Sequence, residues 1–171
     1  KYILREVIRL REITFEFDGN DEIVSAKSAF IPKTRVQVYF LENNEWFKPL
    51  SNLLYKAKNG RILPDNDERY SYFSIASLAT LPHLFWKPDV IICNDWQNAT
   101  TPMIYNQIYK SREFYEDIKT VLIVHNIDEH CAYDRSIYDK LGVKLPNKIV
   151  GNKINCYEAA INAGVLEKDL L

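Results

Sequence analysis

Trp86-Lys87-Pro88-Asp89-Val90-Ile91-Ile92-Cys93-Asn94-Asp95-Trp96-Gln97 decides the fold. From Pro88 to Cys93 it is a short run of β-branched and apolar residues without polar alternation, the pattern of a strand buried on both faces of a parallel sheet. Thr120-Val121-Leu122-Ile123-Val124 repeats that pattern. Between the two, Asn98 to Tyr109 reads as a helix, and Pro102 is tolerated because it falls in the first turn, where its missing N–H is not needed. Strand, helix and strand fill about 35 residues, the size of a right-handed crossover between parallel neighbours. The expected fold class is therefore α/β, a Rossmann-like layered domain on a parallel sheet.

Upstream the rhythm changes. Glu6 to Phe17 and Ile23 to Phe30 read as strands around Asp18-Gly19-Asn20-Asp21, a turn cluster whose Gly and Asn tolerate positive φ, so an N-terminal β-hairpin is expected. Arg35 to Phe40 alternates as a further strand. Glu42 to Pro64 dissolves into Asn, Lys, Gly and Pro with isolated aromatics, an irregular surface segment. Asp65-Asn66-Asp67-Glu68 then sets capping and acidic residues at the positive end of a helix dipole. Tyr72, Ile75, Ala76 and Ala79 follow at helical spacing, which predicts a helix from Asp67 to Leu81 ended by Pro82. Beyond His125 the chain reads as a loop to Ala132, a short helix from Asp134 to Leu141 and another from Lys153 to Ala163. There is no internal repeat and no low-complexity segment.

The length of 171 residues fits one domain on a scale of about 150 residues per domain. Apolar types make up 47% and charged types 26%, and 22 Lys and Arg against 23 Asp and Glu leave a formal charge of -1. That balance argues against nucleic-acid or anionic-membrane partners, both of which need a concentrated positive field. Coiled-coil, collagen-like and disordered classes are excluded by composition, and no apolar run approaches the roughly 20 residues that span a bilayer. Cys93, Cys131 and Cys156 are too few and too scattered for a disulfide framework, which fits a reducing, cytoplasmic compartment. The opening Lys1-Tyr2-Ile3-Leu4-Arg5 has neither initiator Met nor leader pattern, so the expectation is a piece of a longer protein without a signal peptide.

Both apolar strands run out into polar residues, Asn94, Asp95, Trp96 and Gln97 after the first and His125 and Asn126 after the second. Ligands of open parallel sheets bind just beyond the carboxyl ends of the strands, so Asp95, His125 and Asn126 are expected on one edge. A carboxylate, an imidazole, an amide and an indole together suit a polyhydroxylated ligand, which needs donors, acceptors and an aromatic face. Plainer roles compete: Asp95 as a helix cap, Trp96 as core, His125 as a structural imidazole. His125 and His130 bracket Asp128 and Glu129, but the spacing fits no zinc site, so no metal is expected. The five glycines form no dinucleotide or Walker-type phosphate cradle. Cys93 with His125 leaves a thiol hydrolase open, although a cysteine at a strand end ordinarily packs as a small apolar group. Tyr39, Phe40, Trp46, Phe47 and Tyr55 read as core and loop anchors, with sugar stacking the lesser reading.

Four strings in order carry a more specific signal: Val36-Gln37-Val38-Tyr39-Phe40-Leu41 with Asn43 and Phe47 behind it, Asp65-Asn66-Asp67-Glu68-Arg69-Tyr70, the stretch from Trp86 to Gln97, and Ile118 to Asn126. Together they resemble the N-terminal domain of bacterial glycogen and plant starch synthases, the ADP-glucose-using glycosyltransferases. Asn152-Lys153-Ile154-Asn155 and the helix behind it are similar to the family segment after the His-Asn loop. The resemblance implies one half of a GT-B fold, a partial acceptor-side domain whose donor-binding C-terminal domain lies outside these residues. It implies retaining transfer of glucose from ADP-glucose to a linear α-1,4-glucan, without metal or other cofactor. On that basis Asp95 and His125 are expected to be catalytic, and Asn94, Trp96, Asn126, Asp65 and Asn66 to bind substrate. A non-catalytic carbohydrate-binding or regulatory domain on the same scaffold is the alternative. The chain departs from the family at the absent Lys-Thr-Gly-Gly-Leu loop, at Ile92 where His is usual, and at Glu129-His130-Cys131 where the family has Tyr-Gln-Gly.

Overall fold

Alternation in the N-terminal strands is complete enough to sort their faces. In β1 (Glu6–Phe17) and β2 (Asn20–Phe30), Ile13, Phe15 and Phe17 and, opposite them, Val24 and Ala26 turn inward and are buried, while the residues between them face solvent or lie part-buried. The strands pair antiparallel through a tight turn in which Asp18 and Gly19 both take positive φ, and β3 (Gln37–Glu42) adds to β2. A register shift between Leu10 and Ile13 coincides with Glu12 at φ 60, a bulge that bends the hairpin over the core. A computed structural model describes residues 6–47 and 54–163; part of the irregular segment expected from Glu42 to Pro64, residues 48–53, lies outside the described residues.

The inward face of the hairpin meets α1 (Asn66–Thr80), the longest helix described. Tyr72 is fully buried there, stacked on Trp46 at 4.6 Å between ring centroids and edge-on to Phe15 and Phe17. Burying each such aromatic is worth roughly 1.5–3 kcal/mol, so this cluster is what fixes sheet to helix. Asn43 closes the corner, donating to the Tyr72 hydroxyl at 3.0 Å and accepting from the Glu45 and Trp46 N–H groups. The helix runs into a single 3₁₀ turn, Leu81–His83, at Pro82, as the sequence predicts. Its start differs: Asp65 makes no capping hydrogen bond and instead lies 3.7 Å from Arg69, while Asp67 accepts from the Glu68 and Asp134 N–H groups. The cap is spent on a tertiary contact.

Next comes the crossover. β4 (Val90–Asn94) and β5 (Lys119–Ile123) pair parallel, with Ile92 beside Val121 and Asn94 beside Ile123. The connecting segment is helical but not uniformly so: a 3₁₀ turn at Trp96–Asn98, α2 (Thr101–Ile104) with Pro102 in its first turn, then a wider π turn over Tyr105–Tyr109. The Tyr105 hydroxyl donates to the carbonyls of Tyr115 and Ile118, tying the end of the crossover to the foot of β5. The expectation that both strands are buried on two faces is overturned. Cys93, Ile91 and Leu122 pack inward, whereas Ile92 is 59% exposed and Val90, Val121 and Ile123 also face out. An unbroken apolar run reports that both faces can be covered, and among the described residues only one is.

After β5 the chain makes a 3₁₀ turn at Glu129–Cys131, then β6 (Ala132–Asp134), α3 (Arg135–Lys140), β7 (Lys153–Asn155) and α4 (Cys156–Asn162). The β6–β7 antiparallel pair was not expected, and the helix expected from Lys153 starts only at Cys156. Asn155 caps α4 by accepting from the Tyr157 and Glu158 N–H groups. Lys140 binds Glu68 and approaches Asp18 at 3.4 Å, joining α3 to α1 and the hairpin turn. One core runs from Ile13 through Tyr72 and Trp96 to Ala160. No helix among the described residues is long and apolar enough to cross a membrane.

Candidate functional site

The site is assembled where β4 and β5 end. Because the strands run parallel and in register, Asp95 and His125 leave the sheet side by side. The Asp95 N–H donates to the Ile123 carbonyl at 2.8 Å, and the His125 N–H reaches the Asp95 Oδ1 at 3.3 Å. Asp95 holds φ 61 and ψ -171, a backbone conformation that costs an L residue about 1–3 kcal/mol and that only a closely determined surrounding maintains. Asp95 is half-buried, and His125, Asn94 and Asn126 are exposed on the same edge. The Asn126 amide donates to Asp128 at 2.8 Å, which shapes the loop after His125.

A fifth residue enters from far along the chain. The Tyr157 hydroxyl donates to Asp95 Oδ1 from the first turn of α4, with Asn155 fixing the start of that helix. Partial burial works to raise the Asp95 carboxyl, but the bonds from the Tyr157 hydroxyl and from the N–H groups of His125, Trp96 and Asn126 outweigh it and hold the acid below its ordinary range. The same contact works in reverse on Tyr157, whose hydroxyl is pushed well up by burial and then by the adjoining carboxylate. The arrangement is an ionised acid, rigidly held, next to the backbone of the exposed His125.

Other expected site residues fall elsewhere. Trp96 is 1% exposed, so it cannot stack on a sugar; its ring packs between Tyr70 at 5.0 Å and His130 at 4.7 Å, and its carbonyl accepts from Tyr133. The residue turns inward because the strained Asp95 backbone reverses the chain immediately before it. Asn66 is 4% exposed and clamped between the Tyr55 carbonyl and Arg69, a structural role, although one side of it borders a separate open cleft of about 570 Å³. Asp65 is exposed beside Arg69. Neither Asp95 nor His125 lines that cleft.

The thiol alternative loses its nucleophile. Cys93 is 2% exposed, and burial, opposed by a hydrogen bond with Thr101, pushes its thiol up to about 11, so almost none is thiolate at neutral pH. Among the described residues no group of three or more His, Cys, Asp or Glu gathers to hold a metal.

Comparison with known proteins places this edge in context. The pattern of the family described as the starch synthase catalytic domain matches residues 2–165. Glycogen synthase of Pelodictyon phaeoclathratiforme is 33% identical over 174 residues, covering 100% of this chain and 35% of its own length. Glycogen synthase of Chlorobium limicola is 33% identical over 173 residues, covering 97% of this chain and 35% of its own. The chain thus spans about a third of the length of these relatives. In shape it is similar to the catalytic domain of starch synthase IV from Arabidopsis thaliana, a structure bound to ADP and acarbose, with a TM-score of 0.70, 21% identity, and coverage of 92% of this chain and 32% of that one. Because the family pattern runs through both strand ends, and through the α4 segment that reaches back to Asp95, the chain belongs to the starch synthase catalytic domain family.

Proposed function

We propose that this chain is the acceptor-side portion of a retaining glucosyltransferase that moves glucose from ADP-glucose onto a linear α-1,4-glucan in the cytoplasm. The observation that carries the reading is the pairing of Asp95 with His125 at adjacent parallel strand ends, in a chain of this family. Asp95, kept ionised, accepts hydrogen bonds from sugar hydroxyls, and the exposed His125 imidazole meets the transferred glucose near its 6-hydroxyl. Asn94 and Asn126 offer amide donors and acceptors on the same edge. Glucosyl transfer passes through a cation-like transition state with a departing diphosphate, which calls for fixed dipoles and charges already in place rather than a strong nucleophile. The diphosphate needs cations that this edge does not provide. They belong to a donor-binding C-terminal domain, a reading supported by the chain's spanning about a third of the length of its relatives.

Two measurements test this. Full-length protein is assayed for transfer to glycogen from ADP-glucose and from UDP-glucose, with activity from ADP-glucose expected. Maltoheptaose is titrated into the 171-residue chain while the amides of Asp95 and His125 are followed by NMR. An affinity on the order of millimolar is expected, since a half-cleft gains only a few net hydrogen bonds of about 1 kcal/mol each. Unmoved amides at saturating sugar overturn the site, and glucan binding without transfer by the full-length protein makes the chain a binding module.

A further inference from the structure

Cys131 and Cys156 are distant in sequence and meet beneath the Asp95 edge. The antiparallel register of β6 and β7 pairs Ala132 with Asn155, Tyr133 with Ile154 and Asp134 with Lys153. One step further along that register, Cys131 falls opposite Cys156. Strand side chains alternate, so Cys131 shares the inward face with Tyr133 and Cys156 shares it with Ile154, and all four are buried. Residues directly opposed in an antiparallel pair stand about 4.5–5.5 Å apart at Cα, inside the roughly 4.4–6.8 Å that a disulfide spans. The two thiol side chains are already in hydrogen-bond contact with each other, whereas Cys93 contacts Thr101. Cys131 falls in the stretch where the family has Tyr-Gln-Gly, so the pair is a departure from the family rather than a property of it.

Each thiol also borders the backbone of the candidate site. The Cys131 sulfur is 3.9 Å from the Asn126 carbonyl, in the loop that carries His125, and the Cys156 sulfur is 4.0 Å from the Trp96 carbonyl, next to Asp95. Cys156 is followed directly by Tyr157, whose hydroxyl binds Asp95. A disulfide draws its sulfurs to about 2.05 Å, well inside any nonbonded contact. That closure is taken up where the sulfurs are attached, in the turn ending at Cys131 or in the first turn of α4. Either movement reaches the same atom, because the His125 N–H and the Tyr157 hydroxyl both bind Asp95 Oδ1.

We propose that Cys131 and Cys156 form a reversible disulfide that resets the geometry of the Asp95–His125 edge, with a peroxide as oxidant. Opening of the three-residue strand pair exposes Cys131, whose thiol then regains its ordinary value of about 8.5. Cys131 leads, since Glu129 and Ala132 beside it are exposed, while burial holds the Cys156 thiol well up. Its thiolate attacks one peroxide oxygen; the S–O bond forms, the O–O bond breaks, and the departing hydroxide takes up a proton and leaves as water. The Cys156 thiolate then attacks the Cys131 sulfenic sulfur, the S–S bond forms, the S–O bond breaks, and a second water leaves. Two thiols and one hydrogen peroxide thus become one disulfide and two waters, and two equivalents of a small thiol reverse the change by exchange. Hydrogen peroxide is little larger than water, so it passes through openings too small for an alkylating agent. The consequence for glucosyl transfer rests on the function proposed above; the disulfide and the movement at Asp95 do not.

The test treats the 171-residue chain with hydrogen peroxide at neutral pH, unfolds it in urea with iodoacetamide, and maps the digest by mass spectrometry. A linked Cys131–Cys156 peptide is expected, with Cys93 alkylated and the link undone by dithiothreitol. In the oxidised chain, carbon NMR of the Asp95 carboxyl is expected to show its titration moved upward by about half a pH unit or more, as loosening of either bond requires, and restored by dithiothreitol. Cys93→Ala, outside the pair, is expected to link as the parent does, and Cys156→Ala to lose both the link and the shift. Three alkylated cysteines after peroxide, a link between chains or to Cys93, or single cysteines carried to sulfinic acid overturn the proposal, as does a linked chain whose Asp95 titration stays in place. Neither readout uses sugar, so failure here leaves the glucan reading standing, and amides unmoved by maltoheptaose leave the disulfide standing.

Discussion

Replacing Tyr157 by Phe removes one hydroxyl and leaves the ring in place, so the change isolates the contact to Asp95. A hydrogen bond to a charged group contributes about 1.5–3 kcal/mol, but Asp95 is half-exposed and water replaces part of the lost partner, which brings the expected loss to about 1 kcal/mol. For a chain of this size that lowers the melting temperature by roughly 2–4 °C. The dependence on pH is the more telling part. Asp95 is held below its ordinary range when folded, so its contribution is complete above the unfolded carboxyl value of about 3.9 and fades as the pH falls through the lower folded value. The difference in urea midpoint between parent and Y157F is therefore expected to be constant from pH 8 to pH 5 and to narrow below about pH 4. Carbon NMR of the Asp95 carboxyl is expected to show its titration moving upward in the variant. A stability gap of the same size at pH 3.5 and pH 7, or an Asp95 titration unmoved by the substitution, refutes the reasoning.

Trp96→Ala is expected to cost about 3–5 kcal/mol in urea unfolding, because it empties the space between Tyr70 and His130, and a loss under about 1 kcal/mol would contradict its place in the core. Iodoacetamide at pH 8 is expected to leave the folded chain unmodified, since all three cysteines are buried and Cys93, at about 11, is ionised in only about one molecule in a thousand. Mass spectrometry after urea unfolding should then find all three alkylated. Rapid labelling of Cys93 in the folded chain would restore the thiol alternative.

Where the sequence was legible, the signal was local and periodic. The turn cluster Asp18-Gly19-Asn20-Asp21 located the hairpin, and the apolar runs around Ile92 and Leu122 located the parallel pair. Because a crossover puts the carboxyl ends of its strands on one edge, Asp95 and His125 could be brought together from 30 positions apart. What stayed hidden depends on distant partners. Asp67 rather than Asp65 takes up backbone donors because Asp134 arrives from elsewhere in the chain. The three-residue strands at Ala132 and Lys153 are too short to show a period and exist through pairing with each other. Tyr157 sits in an ordinary helical stretch, and nothing near it in sequence marks a contact 62 residues back. Trp96 follows a polar strand end like a binding residue, yet the turn at Asp95 sends it inward.

That turn also limits what can stand at position 95. At φ 61 and ψ -171 a glycine would sit without penalty. An aspartate at the same point carries its side chain against the backbone's own preference, at about 1–3 kcal/mol out of the 5–15 that keep a domain folded. Any other L residue at position 95 keeps that backbone cost and also loses the bonds from Tyr157 and His125, so glycine is the one replacement that sets a relieved backbone against the lost side chain.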